Sequence, residues 1–345
     1  MSTSTESTDI PILLIYDLDR KHWGQFEIQH TLEKIETLTA ELIQLGHPLT
    51  VVPVYDINLD KVLKPFAPGE YILFNLCEEL PGIPHSAGRV GEIIENLGFT
   101  HTGPPARVLS FSQDKINVKK LLEEHGIPTP EWHVYASTSE NGWHRFPAIV
   151  KPPLEHCSIG IDAQAVVVDH DQLTHRIEYV IRTFNQPALV EDFIDGREFR
   201  VSVIGNGADV RMLPPAEIDY SRMERLSERL LSYDSKMNPL SKYYNEIKPN
   251  SNPVFTSGEY RQLEQIALAV YNVLDCNDYA GFDFRLRDGI FYVLDANPDP
   301  EFSPDTSMVM GAKKIGLSYG QLASFVANQA ARRHPLFSTF FIHSA

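Results

Sequence analysis

Residues 278–297 constrain the fold more than any other stretch: Asp-Tyr-Ala-Gly-Phe-Asp-Phe-Arg-Leu-Arg, then Asp288-Gly289, then Ile-Phe-Tyr-Val-Leu-Asp-Ala-Asn. Ala280, Phe282, Phe284 and Leu286 are apolar at alternate positions, as are Ile290, Tyr292, Leu294 and Ala296, which predicts two strands with one core face each. A two-residue Asp-Gly turn would set the apolar residues of one strand beside the polar residues of the other. A three-residue loop of Arg287, Asp288 and Gly289, with Gly289 at positive φ, places Leu286 opposite Ile290 and all eight apolar residues on one face. In that register Asp283 lies opposite Val293 and diagonal to Asp295, and Asn297 follows two places on. Two carboxylates and an amide on one face suit Mg²⁺, which is commonly held by one or two carboxylates together with substrate phosphates. A merely solvated hairpin face carries the same residue types, so both readings stand at this point.

A chain of 345 residues with 43% hydrophobic content is long enough for two or three domains with proper cores. Its 46 acidic and 30 basic residues give a formal charge of −16, which opposes attraction to nucleic-acid backbones and anionic membranes. Cys77, Cys157 and Cys276 are few and widely spaced, so neither a disulfide framework nor a zinc cluster is readable, and a reducing cytoplasm fits best. The Ser/Thr-rich residues 1–9 read as a disordered tail without the apolar centre of a secretory signal, and no later apolar run reaches membrane-span length.

In chain order, an apolar run at 10–16, a helical pattern over 27–45 and an apolar run at 49–55 make a βαβ start. A buried strand at 71–76 and a helix over 90–97 complete a small parallel α/β unit. Ligands in such sheets gather beyond the carboxyl ends of the strands, which makes Glu27, Glu78, His85 and Arg89 substrate-side candidates. Thr-Gly-Pro-Pro at 102–105 reads as a linker to a second unit with a helix over 114–125. A strand ending at Lys151 then leads into Pro-Pro-Leu-Glu-His-Cys-Ser-Ile-Gly-Ile, a small and polar loop able to fold over phosphates. Residues 206–255 show little periodicity and read as a mobile functional loop, whose Lys236 and Lys242 could close over an anion. An amphipathic helix over 259–274 precedes the hairpin, and a last helix spans about 319–332.

Six motifs in this order resemble the ATP-grasp superfamily and, within it, proteins similar to D-alanine-D-alanine ligase. They are Phe-Asn-Leu-Cys-Glu at 74–78, Gln-Asp-Lys at 113–115, Phe-Pro-Ala-Ile-Val-Lys-Pro at 146–152, Leu-Val-Glu-Asp-Phe-Ile-Asp-Gly-Arg-Glu-Phe at 189–199, Gly-Phe-Asp-Phe-Arg at 281–285 and Leu-Asp-Ala-Asn-Pro at 294–298. The resemblance implies an α/β chain of the α+β ATP-grasp kind: an N-terminal parallel α/β domain over 10–108, a central subdomain over 109–190 and a C-terminal subdomain over 191–345, with the nucleotide between the last two. It further implies that Lys115 and Lys151 reach the ATP phosphates and that Glu191, Asp192, Phe193 and Ile194 line the adenine. Glu198 would bind the ribose, and Asp283, Asp295 and Asn297 would hold Mg²⁺, with Mn²⁺ as an alternative. Lys236, Arg285 and Ser158 are then the candidate catalytic residues.

The sequence departs from that family's pattern at several places. Asp295 stands where glutamate is usual, and Gly281 where true D-alanine ligases carry an arginine. His156 and Cys157 replace Gly and Ser in the phosphate loop, with Ser158 and Gly160 retained. The glycine-rich opening after the first strand is replaced by Asp17–Glu27, and the substrate-carboxylate segment after Asn297 is Pro-Asp-Pro-Glu-Phe-Ser-Pro-Asp-Thr-Ser. The implied activity is an ATP-dependent ligase joining a small carboxylate and an amine through an acyl phosphate, in a homodimer paired through the first unit. Three other readings remain: a nucleotide-binding protein of this fold without ligase activity, D-alanine-D-alanine ligase proper, and a thiol enzyme using His156 and Cys157.

Overall fold

The computed structural model describes residues 9–138 and 142–341. Apart from Asp9, the expected tail lies outside them. The chain opens with β1 (Ile12–Asp17), α1 (Gln25–Gln44), β2 (Leu49–Val54), α2 (Leu59–Leu63), β3 (Ile72–Leu76) and α3 (Ala87–Asn96). The three strands form a parallel sheet in the order β2-β1-β3. β1 is buried along its whole length because both faces are covered, which is why it reads as an unbroken apolar run. Leu13 and Ile15 face α2 and α3, whereas Ile12, Leu14 and Tyr16 face α1 and residues near the C-terminus, Tyr319 to Ala327.

Thr102 to Pro104, expected as a linker, are buried, and Gly103 N–H donates to the Asp278 carboxylate at 2.9 Å. Then come α4 (Ala106–Ser112), α5 (Lys115–Glu124), β4 (Trp132–Tyr135), β5 (Ala148–Lys151), β6 (Val166–Val167), α6 (His170–Phe184) and β7 (Ala188–Asp192). These strands make an antiparallel sheet ordered β4-β7-β5-β6, with α6 packed on its apolar face. Asp114 caps α5 by accepting from Ile116 N–H at 2.8 Å, which fixes where the helix starts and hence where Lys115 stands.

The remaining elements are β8 (Arg197–Ile204), β9 (Arg211–Met212), β10 (Ala216–Asp219), α7 (Tyr233–Met237), α8 (Lys242–Glu246), β11 (Lys248–Asn250), α9 (Ser257–Val273), β12 (Tyr279–Arg287), β13 (Ile290–Asn297), α10 (Ser307–Lys314) and α11 (Tyr319–Ala331). The third sheet runs β11-β10-β8-β12-β13, with β9 added beside β8. One face packs Phe199, Val201, Phe282, Phe284, Phe291 and Val293 against α9 and α5; the other is polar. Residues 206–255 thus hold short strands and helices rather than one irregular loop. The expected boundary at 108/109 falls inside α4 and that at 190/191 inside β7, and α11 packs into the core of the first sheet rather than the third.

The hairpin differs from its sequence reading in one informative way. Arg287 pairs with Ile290, so the loop is the two-residue Asp288-Gly289 turn, with φ of 53° and 76°. This turn matches the twist of the strands. Burial is satisfied by a β-bulge instead of a longer loop: Phe284 pairs with Val293 and Asp283 with Asp295, leaving Leu294 unpaired. The core residues of β13 are accordingly Phe291, Val293 and Ala296, while Ile290 is exposed. Because the bulge reverses the alternation after Val293, Asp295 arrives directly opposite Asp283 rather than diagonal to it.

Candidate active site

The polar face of the third sheet is the floor of a cleft. Asp283 lies between Asp295 on one neighbouring strand and Arg200 on the other, and Arg285 lies opposite Glu198. Arg200 Nε is 3.6 Å from Asp283 Oδ1, and the Asp283 side chain keeps 30% of its surface open to the cleft. Two carboxylates directly opposite each other repel unless cations attend them. Burial alone would raise the Asp295 carboxyl, yet Lys115, Lys151, His156 and Lys236 overcome it and hold it at about 2. Asp283 moves the other way: burial raises it more than Arg200 and Lys236 lower it, with Glu198 and Asp295 adding to the rise. Such divergence is the mark of acids sharing one site.

Lys151 closes β5 and Lys115 opens α5, with Lys119 one helical turn further on the same face. Lys151 Nζ and Lys119 Nζ lie 3.0 and 3.2 Å from the same oxygen, Oε1 of the buried Glu191. Lys151 Nζ also reaches, at 3.5 Å, the carbonyl of Leu294, which the bulge leaves unpaired. The side chains of Glu191 to Ile194, the stretch expected along the adenine, go different ways. Strand alternation sends Glu191 to the lysines and Asp192 to Arg287, whose Nη2 is 2.5 Å away, while Phe193 and Ile194 are buried beyond the strand end.

Arg285, expected beside the phosphates, is committed elsewhere. Its Nε and Nη2 lie 2.8 and 2.7 Å from Glu198 Oε2, Nη1 donates to Ile194 O at 2.8 Å, and Nη2 also donates to Arg229 O. The Phe193 ring stacks on the guanidinium at 4.5 Å, and Tyr220 Oη donates to the same Glu198 oxygen at 3.0 Å. Only 3% of Arg285 is exposed, so it anchors Glu198 and does not present a free cation.

The loop after Lys151 folds over this floor. Cys157 and Ser158 are consecutive residues at positive φ, 52° and 62°, a sparsely populated conformation for non-glycine residues. Ser158 Oγ donates to Leu231 O at 2.7 Å and Tyr233 N–H to Ile161 O at 3.3 Å, so the loop is tied to the segment carrying α7 and Lys236. Burial lowers the Lys236 ammonium, with Arg200 acting the same way and Asp283, Cys157 and Asp295 opposing. Lys242 instead pairs with Glu228 at 2.6 Å, outside this cluster. Cys157 is accessible, but burial of its sulfur environment and Glu78 push the thiol up, the reverse of what a nucleophilic cysteine requires.

Beyond the floor, the carboxyl ends of β1 and β3 bring Asp17 and Glu78 toward Asp299 and Glu301. Water reaches Glu78 in the cleft, yet protein surrounds it; burial and Asp17 push it up to about 8 against the pull of Lys34. Burial likewise raises Asp17 and Asp299, each to about 6. Lys34 pairs with Glu301 at 2.9 Å. Of the other substrate-side candidates, Glu27 caps α1 through Gly24 N–H at 2.7 Å, His85 lies 3.5 Å from Glu155, and Arg89 is exposed. A Cβ on Gly281 would meet Pro300 at 3.2 Å, so the position is tight as well as bare.

Among the described residues no three of His, Cys, Asp and Glu gather as a metal cluster, which leaves the Asp283–Asp295 pair and the amide of Asn297 as the oxygen donors. Asn297 Oδ1 accepts from Asp299 N–H at 3.0 Å. Arg200 and Lys119 were missed from sequence although their signals were present: Arg200 is two places from Glu198 on one strand face, and Lys119 is four from Lys115 on one helix face.

A family model described as D-ala D-ala ligase C-terminus matches residues 121–327. The chain belongs to this family. It is an ATP-grasp protein of the ADP-forming carboxylate-amine ligase kind. It is 29% identical over 309 residues to an uncharacterized protein of Sinorhizobium fredii, covering 87% of this chain and 88% of that one. It is 28% identical over 260 residues to the D-alanine-D-alanine ligase of Bordetella avium, covering 71% and 76%. In fold it resembles the D-alanine-D-alanine ligase of Bacillus anthracis crystallised with ATP, with a TM-score of 0.71 at 21% identity over 94% of this chain and 98% of that one. Among the described residues no helix is long and apolar enough to cross a membrane.

Proposed function

We propose that the chain joins a small carboxylic acid, an amino acid or a relative of one, to an amine through an acyl phosphate formed with ATP. The observation that carries this reading is the facing pair Asp283 and Asp295 ringed by Lys115, Lys151 and Lys236. This donor set fits a hard divalent cation next to a polyphosphate: two acidic oxygens, one amide oxygen, and ammonium groups for the remaining phosphate charge. Asp283, Asp295 and Asn297 would hold Mg²⁺ or Mn²⁺, which supplies charge neutralisation on the transferring phosphoryl group.

In this reading Lys115 and Lys151 meet the phosphates from below and Lys236 from above. Ser158 serves by tying the loop to the α7 segment, which limits water at the reacting centre. Glu198, fixed by Arg285 and Tyr220, would bind the ribose, and the chain just beyond the end of β7, at Phe193 and Ile194, would run along the base. Glu191 reaches this set only through the lysines it binds. Asp17, Glu78 and Asp299 suit an ammonium on the substrate, and a carboxyl held up to about 8 can take a proton from an attacking amine. Gly281 offers no cation for the negative charge that develops at the reacting centre, where the resemblance puts an arginine in D-alanine-D-alanine ligases, so we place D-alanine-D-alanine ligation behind ligation of another acid and amine.

Release of ADP measured across a panel of acids and amines tests this directly. Turnover that requires one acid and one amine together is the expected result. Tight nucleotide binding with no turnover across the panel would instead support the binding-only reading. A two-fold homodimer and a cytoplasmic location remain part of the proposal, the first open to a sedimentation measurement.

A further inference from the structure

Lys119 is buried with 3% of its surface exposed, and Glu191 with 1%, so neither charge can be answered by water. One carboxylate oxygen, buried and without a hydrogen-bond partner, therefore faces two ammonium groups at ion-pair distance. Lys119 Nζ also donates to Thr129 Oγ1 at 2.7 Å, and Thr129 Oγ1 donates to Val293 O at 3.0 Å, next to the bulge whose Leu294 carbonyl faces Lys151. Helix α5, strand β7 and the hairpin thus meet at one ammonium.

We infer that Lys119 is a positioning residue for nucleotide binding: by sharing Glu191 it prevents that carboxylate from capturing Lys151, and so leaves Lys151 free to donate to a phosphate. The inference rests on the nucleotide reading above. With Lys119 present the buried cluster carries two positive charges and one negative, an excess that an incoming phosphate can satisfy. With Lys119 removed, Glu191 and Lys151 form a closed neutral pair in a low-dielectric pocket, and withdrawing Lys151 from it becomes costly. A residue that only filled space would have no such effect on its neighbour's availability.

The charged groups facing Lys119 are Glu191 from β7, Lys151 from β5 and Glu123 from its own helix; Thr129 and Pro130 face it as uncharged acceptors. Burial lowers the ammonium to about 8, with Glu191 opposing and Lys151 assisting. Lys119 is therefore mostly charged at pH 7 and discharges as the pH rises through about 8, so the cluster progressively loses its excess positive charge over that range.

Calorimetric titration of the full chain with ADP and Mg²⁺ between pH 7 and pH 9 tests this. Lys119→Met should weaken binding on the order of tenfold at pH 7 and make it independent of pH. Lys119→Arg, which cannot discharge, should bind as the parent does at pH 7 and stay flat to pH 9. Adding Glu191→Gln to Lys119→Met should restore most of the lost affinity, because the capturing carboxylate is gone. Equal weakening in the single and double variants, or an alkaline loss of affinity that survives in Lys119→Arg, would overturn the inference. Absence of nucleotide binding in the parent protein would instead overturn the reading on which it rests.

Discussion

The two facing carboxylates are predicted to respond in opposite directions to the same substitution. Asp295 is held down from 3.8 to about 2, which means its charged form is favoured in the folded, nucleotide-free protein. At about 1.4 kcal/mol per pH unit, that span corresponds to ~2.4 kcal/mol of stability. Because water enters the cleft and screens part of the attraction, a cost of about 1–2 kcal/mol is the expected outcome for Asp295→Asn at pH 7. This contribution is fully present above pH 3.8 and is lost as the pH falls through about 2, so the variant should show a weaker acid dependence than the parent. Asp283 is raised, so its charge is disfavoured by folding, and Asp283→Asn should leave stability unchanged or increase it. Urea unfolding of the two variants beside the parent, without nucleotide, supplies the comparison. Equal destabilisation by both substitutions would refute the claim that the surrounding cations hold Asp295, and not Asp283, in its charged form. Both substitutions should nevertheless abolish nucleotide-dependent turnover.

Other outcomes follow from the same geometry. Glu78 has its folded value pushed up to about 8 from 4.5, so the parent should lose stability as the pH rises from about 5 to 8; in Glu78→Gln thermal unfolding over that range should be flatter. Ser158→Ala removes the bond to Leu231 O and should raise the KM for ATP severalfold, with about 1 kcal/mol lost at most, measured by steady-state ADP release. Arg285→Met leaves Glu198 buried without its cation and should destabilise the fold by about 3 kcal/mol, detectable as a lower unfolding midpoint; an unchanged midpoint would mean that Arg285 is not the anchor described.

The hairpin shows how far sequence reasoning carries and where it stops. Period-two apolar alternation placed Asp283, Asp295 and Asn297 on one face, and they share one. The route was wrong, because Val293-Leu294-Asp295 contains neither glycine nor proline to signal the bulge that resets the register. Alternation likewise reveals which face Arg285 occupies but not that Glu198 lies opposite it, since that depends on how β8 pairs with β12. Long-range packing was the least legible part. Thr102 to Pro104 have the composition of a linker yet are buried against Asp278, and α11, far along the chain, closes the core of the first sheet. Lys119 and Arg200 were within reach, since helix and strand periods alone align them with Lys115 and Glu198.

Asp283 and Asp295, with the lysines around them, are proposed to seat a divalent cation beside a polyphosphate. Titrating ADP into the protein with and without Mg²⁺ tests it most directly. Binding should strengthen markedly when Mg²⁺ is present and lose that gain in Asp283→Asn and in Asp295→Asn. Nucleotide affinity indifferent to the metal, or a metal effect that persists in both variants, would contradict it.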